Sequence, residues 1–227
     1  MRITEKICTI KSFIEMGVNL PTSSEKGTMN KRIIGLTGGI ATGKTTVADY
    51  LAHTYHLPIF DADIYAREAV APGSAILQAI ATKYGEQILL DDGNLNRVKL
   101  GEIIFNQPTE RSYIEGLIHP YVGDRLVTAI HHSSVNTLVL VVPLLFEAHM
   151  TNLVTEIWVV SCHPEQQLQR LMVRNHLTKS QAQARIDSQM SLTEKKKLAN
   201  FILENTGNFD ELCQQIDRIM QDSEKLL

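Results

Sequence analysis

Cysteine is scarce in this chain of 227 residues: three occur, at positions 8, 162 and 213. An odd number without Cys-x-x-Cys spacing excludes a disulfide framework and a zinc knuckle, and it points to a reducing cytoplasm. An excess of either charge is also missing, since 22 Lys and Arg stand against 25 Asp and Glu for a formal net charge of -3. No broad basic field is available to draw in nucleic acid, so any positive charge used in function must be local. Apolar runs stop well short of the roughly 20 residues that cross a bilayer, so no membrane partner is expected. No internal repeat is visible.

Residues 1–28 lack the features of a secretory signal. Glu5, Glu15 and Glu25 interrupt them, and no long apolar core or small-residue cleavage site is present. Met29-Asn30-Lys31-Arg32 stands immediately before the first apolar run and would make a normal start. Residues 1–28 are therefore expected to be a loosely attached, disordered N-terminal extension. The remaining length suffices for one α/β domain with a substantial core and a small subdomain.

The chain is organised around Ile33-Ile34-Gly35-Leu36-Thr37-Gly38-Gly39-Ile40-Ala41-Thr42-Gly43-Lys44-Thr45-Thr46. An apolar strand breaks into glycines and then into a helix former, and Gly38, Gly43, Lys44 and Thr45 fit the G-x-x-x-x-G-K-[ST] pattern. Successive backbone N–H groups from Gly39, Ile40, Ala41, Thr42 and Gly43 into Lys44, Thr45 and Thr46 can converge on phosphate oxygens, aided by the positive end of the following helix. Lys44 would reach the β- and γ-phosphates, and the Thr45 hydroxyl would help hold Mg²⁺. ATP and Mg²⁺ are the cofactors this pattern implies.

A second strand, Pro58-Ile59-Phe60, ends at Asp61-Ala62-Asp63. Two carboxylates just past a strand's carboxyl end lie where ligands collect in an open parallel sheet, although either could simply cap the next helix. About 70 residues of helical spacing separate this strand from the third, too many for a simple crossover, and they read as an inserted helical subdomain. Within it Ile118-His119-Pro120 interrupts a helical pattern, and the proline is expected to kink the helix or start a new one. His119 could meet a phosphate or a hydroxyl, or be satisfied by backbone.

The third strand, Thr137–Val142, ends in Pro143-Leu144-Leu145-Phe146-Glu147 rather than in the aspartate that many P-loop proteins use there for magnesium. Metal and base duties therefore shift toward Asp61 and Asp63. A fourth strand precedes a helix opened by Pro164 that carries Arg170 and Arg174 on one face, and Thr178-Lys179-Ser180-Gln181 opens another as a capping box. Two short helices presenting arginines resemble a lid, for which the guanidinium fork suits phosphate oxygens. Lys195-Lys196-Lys197 reads as a solvent-facing charge run. After a fifth strand, the turn from Asn205 to Gly207 is expected to border the adenine.

Together these residues resemble dephospho-CoA kinases from Ile33 to the C-terminal helix. The resemblance rests on the glycine loop, Asp61-Ala62-Asp63 with Ala66-Arg67, His119-Pro120, Val142-Pro143-Leu144-Leu145-Phe146-Glu147, the helix of Gln167, Arg170 and Arg174, Arg185 with Gln189, and Asn205-Thr206-Gly207. It implies a three-layer P-loop NTPase fold with a five-stranded parallel sheet, in three parts. These are a nucleotide-binding core (29–68 with 135–163 and 192–227), a helical CoA-binding domain (69–134) and a lid (164–191). It implies transfer of the ATP γ-phosphoryl group to the 3′-hydroxyl of dephospho-CoA by a monomer or weak homo-oligomer. Asp63 would be the base, Lys44 and Arg170 would neutralise charge, and Thr37, Asp61, His119 and Arg174 would meet substrate, with Asp61 also serving the metal. Ala41 departs from the family, which usually has glycine there, and a positive φ would cost alanine about 1 kcal/mol.

Two other readings keep the loop. A kinase for a nucleoside, nucleotide or shikimate-like acid would need a different acceptor pocket. A GTP-dependent switch would need an Asn-Lys-x-Asp sequence, which does not occur.

Overall fold

The computed structural model describes residues 31–105 and 107–224; the expected N-terminal extension, 1–28, lies outside them. Strands β1 (Arg32–Gly38), β2 (Ile59–Asp61), β3 (Thr137–Val141), β4 (Glu156–Ser161) and β5 (Phe201–Glu204) form one parallel sheet in the order β2-β3-β1-β4-β5. The register sets Leu36 against Val141 and Gly38 against Val160, so β1 lies between two covered neighbours. In β3 the period of two separates Val139 and Val141 from Leu138 and Leu140, and both sets are buried. A parallel sheet covered on both faces demands such a continuous apolar run.

One face packs under α1 (Lys44–Tyr55) through Val47, Ala48 and Leu51 and under the last helix through Leu212, Ile216 and Met220. The other face packs against Ala62 of α2 (Ala62–Ala69) and against a long helix through Val122, Leu126 and Ile130. A third cluster lies apart from the sheet. There α3 (Ala75–Tyr84) and α4 (Arg97–Phe105) enclose Leu77, Ile80, Ile88, Leu95 and Leu100 with Ile114 of the same long helix.

That long helix, α5 (Pro108–His132), runs 25 residues without a break, with Pro120 inside it. Of the two outcomes expected at His119-Pro120, a kink or a new helix, the second does not occur. An interior proline costs about 3 kcal/mol, and apolar anchors on both sides of it, Ile114 in one cluster and Val122, Leu126 and Ile130 in the other, outweigh that cost. The chain then continues through β3, β4, α6 (Pro164–Asn175), α7 (Lys179–Asp187), α8 (Leu192–Lys197), β5 and α9 (Phe209–Glu224). Among the described residues, no helix is long and apolar enough to cross a membrane.

Candidate active site

The carboxyl ends of β1, β2 and β3 open on one cavity of about 800 Å³, walled by Ala41, Lys44 and Thr45 from the loop after β1, Asp61 and Asp63 after β2, and Pro143 and Leu144 after β3. Arg170 and Arg174 reach it from α6, and Gln189 from beyond α7. A smaller cavity of about 290 Å³ adjoins it, between Thr46, Arg170, Asn205 and Phe209.

The loop is bent by residues of positive φ. Gly43, at φ 103, precedes α1 and has Asn205 Nδ2 packed where a β-carbon would stand, so only glycine fits. Ala41 sits at φ 60, the left-handed conformation that its departure from glycine made doubtful. The cost of about 1 kcal/mol is borne because neighbouring contacts fix the loop. Gln167 Nε2 donates to Ile40 O at 2.9 Å, Ile40 N donates to Gln189 Oε1 at 2.9 Å, and Asn205 Nδ2 donates to Thr42 O at 2.9 Å. Thr42 is buried and its hydroxyl donates to Gly39 O at 2.9 Å.

Lys44 Nζ donates to Gly39 O at 2.7 Å and Gly38 O at 3.2 Å. Burial is the main cause that lowers its pKa to about 8; Lys195 and Arg174 push the same way, against the opposing pull of Asp63 and Asp61. A cation held this way gains from an anion's arrival. Across the cavity, Asp61 caps α2, its Oδ1 accepting from Asp63 N at 2.8 Å. Burial, and then the charge of Asp61, raise the Asp63 pKa, while Lys44 and Arg67 oppose the rise. A carboxylate made more basic beside a desolvated ammonium suits acceptance of a proton from an alcohol.

The remaining expected residues divide. Arg170 is half-buried, and its Nη1 donates to Asn205 O at 3.1 Å, joining α6 to the turn after β5. Arg174 is exposed on the cavity wall with Nε donating to Asn175 Oδ1 at 2.9 Å. Gly207 stands two residues past Asn205, with the Glu211 carboxylate packed against it. Thr37 is wholly buried and its hydroxyl donates to Pro143 O at 3.2 Å, which places it beneath the cavity rather than on its wall. His119 is also off that wall, on α5, where burial chiefly lowers its pKa, aided by His149 and opposed by Glu115. Among the described residues, no group of three or more His, Cys, Asp and Glu could by itself hold a metal ion.

Lys195 corrects the sequence reading of a solvent-facing run. It is 0% exposed, its Nζ donates to Pro143 O at 2.9 Å, and it pairs with Glu147 Oε1 at 3.0 Å. The same Glu147 oxygen accepts from Met190 N at 3.0 Å. Lys196 also has a partner, Glu204 Oε1 at 2.8 Å. The overlooked signal was Ser191-Leu192-Thr193-Glu194, a capping box that opens α8 and turns Lys195 inward.

A family model described as "Dephospho-CoA kinase" matches residues 32–211. The dephospho-CoA kinase of Trichormus variabilis is 65% identical over 189 residues, covering 83% of this chain and 96% of that protein. The dephospho-CoA kinase of Synechocystis sp. is 54% identical over 187 residues, covering 82% and 93%. Among solved structures, the dephospho-CoA kinase of Campylobacter jejuni is 28% identical, with a TM-score of 0.64 over 86% of this chain and 98% of that one.

Proposed function

The chain belongs to the dephospho-CoA kinase family, and from that premise we propose that Lys44, Asp63 and Arg170 carry the phosphoryl transfer. Its reaction is phosphorylation of dephospho-CoA by ATP. The acceptor is the 3′-hydroxyl of the dephospho-CoA ribose, and the products are CoA and ADP. The observation that carries the assignment of roles is the facing of Lys44 and Asp63 across one cavity, with burial pushing their pKa values in opposite directions.

The triphosphate lies along the amides from Gly39 to Thr46, with the Lys44 ammonium keeping its bond to the Gly39 carbonyl and turning its remaining N–H donors to phosphate oxygens. Asp63 orients the ribose hydroxyl and accepts its proton as the bond to phosphorus forms. Arg170 brings positive charge from α6 to the same cavity, and Arg174 lies one turn further along to meet the acceptor's own phosphates. The smaller cavity, beside Asn205 and leading toward Gly207, takes the adenine. Residues 164–191 act as a lid that excludes water, and residues 69–134 receive the CoA moiety.

The donor set suits Mg²⁺, which keeps several waters and takes few protein ligands: the Thr45 hydroxyl and the Asp61 carboxylate are both on the cavity wall. When bound, it would neutralise charge between the β- and γ-phosphates. A cytoplasmic location suits the free thiols of Cys162 and Cys213, and a monomer or weak homo-oligomer suffices for the chemistry.

The test is formation of CoA from ATP and dephospho-CoA by purified protein, compared with Asp63→Asn. The variant is expected to bind ATP normally and to lose about 10²-fold or more of transfer. Near-normal turnover would remove Asp63 as the base.

A further inference from the structure

We propose that Gln189 is a positioning residue for the transfer step: its side-chain oxygen holds the Gly39–Ile40 peptide so that the Gly39 carbonyl faces the Lys44 ammonium. The inference rests on the kinase reading above and adds to it a link between the end of the lid and the phosphate-binding lysine.

The N–H and C=O of a trans peptide point in opposite directions. Ile40 N donates to Gln189 Oε1 at 2.9 Å, and on the other side of the same peptide Gly39 O receives Lys44 Nζ at 2.7 Å and Thr42 Oγ1 at 2.9 Å. Rotation of that peptide breaks all three bonds at once. The next peptide is gripped as well, since Ile40 O accepts from Gln167 Nε2 at 2.9 Å. That bond aims the amide of Ala41 away from α6, and Ala41 is the residue in the left-handed conformation. Gln167 is 4% exposed, and it packs where a β-carbon on Gly39 would stand.

These two glutamines come from opposite ends of the lid. Gln167 lies in the first turn of α6, and Gln189 lies two residues past the end of α7. The far end is itself anchored. Met190 N, next to Gln189, donates to Glu147 Oε1 at 3.0 Å, and Glu147 is paired with the buried Lys195 at 3.0 Å. Gln189 thus ties this anchored end of the lid to the peptide whose carbonyl restrains Lys44.

Gln189→Met removes the acceptor oxygen at nearly constant volume on a half-buried side chain, so the fold is expected to survive, as a thermal midpoint near wild type would verify. Three quantities are measured: kcat for CoA formation, the ATP dissociation constant, and the ratio of ADP released to CoA formed. The expected result is a kcat lower by about tenfold or more, because misplacement within a site costs rate steeply. ATP affinity stays within about threefold, because the other loop amides remain to hold the phosphates. The ADP-to-CoA ratio rises above that of the wild type as water reaches the γ-phosphate through a poorly seated lid. A kcat within about twofold of wild type overturns the proposal, since misplacement of that lysine would cost more. So does a loss of kcat, affinity and thermal midpoint together at an unchanged ratio, the mark of general loosening. Wild-type protein that forms no CoA would instead remove the kinase reading itself.

Discussion

The loop at residues 38–45 and the return segment at residues 189–197 each withdraw a lysine amine from bulk water, partly for Lys44 and wholly for Lys195, and they treat it in opposite ways. Lys195 meets a carboxylate at 3.0 Å and a carbonyl at 2.9 Å and is wholly buried, so its charge is balanced within the protein. Among the described residues Lys44 meets only carbonyls, those of Gly38 and Gly39, with Asp61 and Asp63 exerting a pull from across the cavity. Desolvation without an adjacent counter-charge lowers its pKa to about 8. A buried cation that is matched internally is a fixture of the fold, whereas one left unmatched beside a cavity awaits an anion from outside.

The comparison breaks first at the lysines themselves. Lys44→Met is expected to fold normally and to lose about 10³-fold in kcat, the scale of removing one preorganised charge from a transition state. Transfer within about tenfold of wild type, measured as CoA formed, would deny Lys44 that place. Lys195→Met is expected to act on stability instead, by about 3 kcal/mol in urea denaturation, because Glu147 keeps its charge without the ammonium. Among the described residues Glu147 Oε2 already has no hydrogen-bond partner, which sharpens that penalty. Adding Glu147→Gln should recover most of the loss; a double variant as unstable as the single one would contradict internal matching.

A smaller effect is read in pH. In the free protein Lys44 releases its proton near pH 8, whereas a bound triphosphate keeps the proton on. ATP affinity should be level below that pH and fall above it by up to about tenfold per pH unit. The sign for folding is the reverse. The unfolded chain holds this proton up to the ordinary lysine value of about 10.5, so stability from this group rises with pH between about 8 and 10.5. Calorimetric titration of ATP from pH 7 to 9.5 would show the slope, and Lys44→Met should abolish it.

What the sequence made legible was local. The strand before the loop, the carboxylates after β2 and the capping box at Thr178 each declare themselves within a few residues, and each stands where expected. What it hid depended on distant packing. Three adjacent lysines look solvated because lysine is rarely buried unpaired, and the partner of Lys195, Glu147, lies 48 positions earlier in the chain. That α5 would run on past Pro120 instead of starting anew was hidden because the anchors that carry it belong to two separate apolar clusters. The grip of Gln167 and Gln189 on Ile40 was equally hidden, since neither spacing nor composition marks two glutamines 22 residues apart as partners of one peptide.

The 25 residues of α5 form a strut roughly 37 Å long at 1.5 Å per residue. One end is bolted into the layer under β3 by Leu126 and Ile130, and the other projects into the outlying cluster at Ile114. Any tilt of that outlying cluster would therefore be levered onto the sheet, unless the strut flexes. Its weakest joint is Pro120, the interior residue without an amide hydrogen, which makes the proline the elastic element of the arm rather than its end.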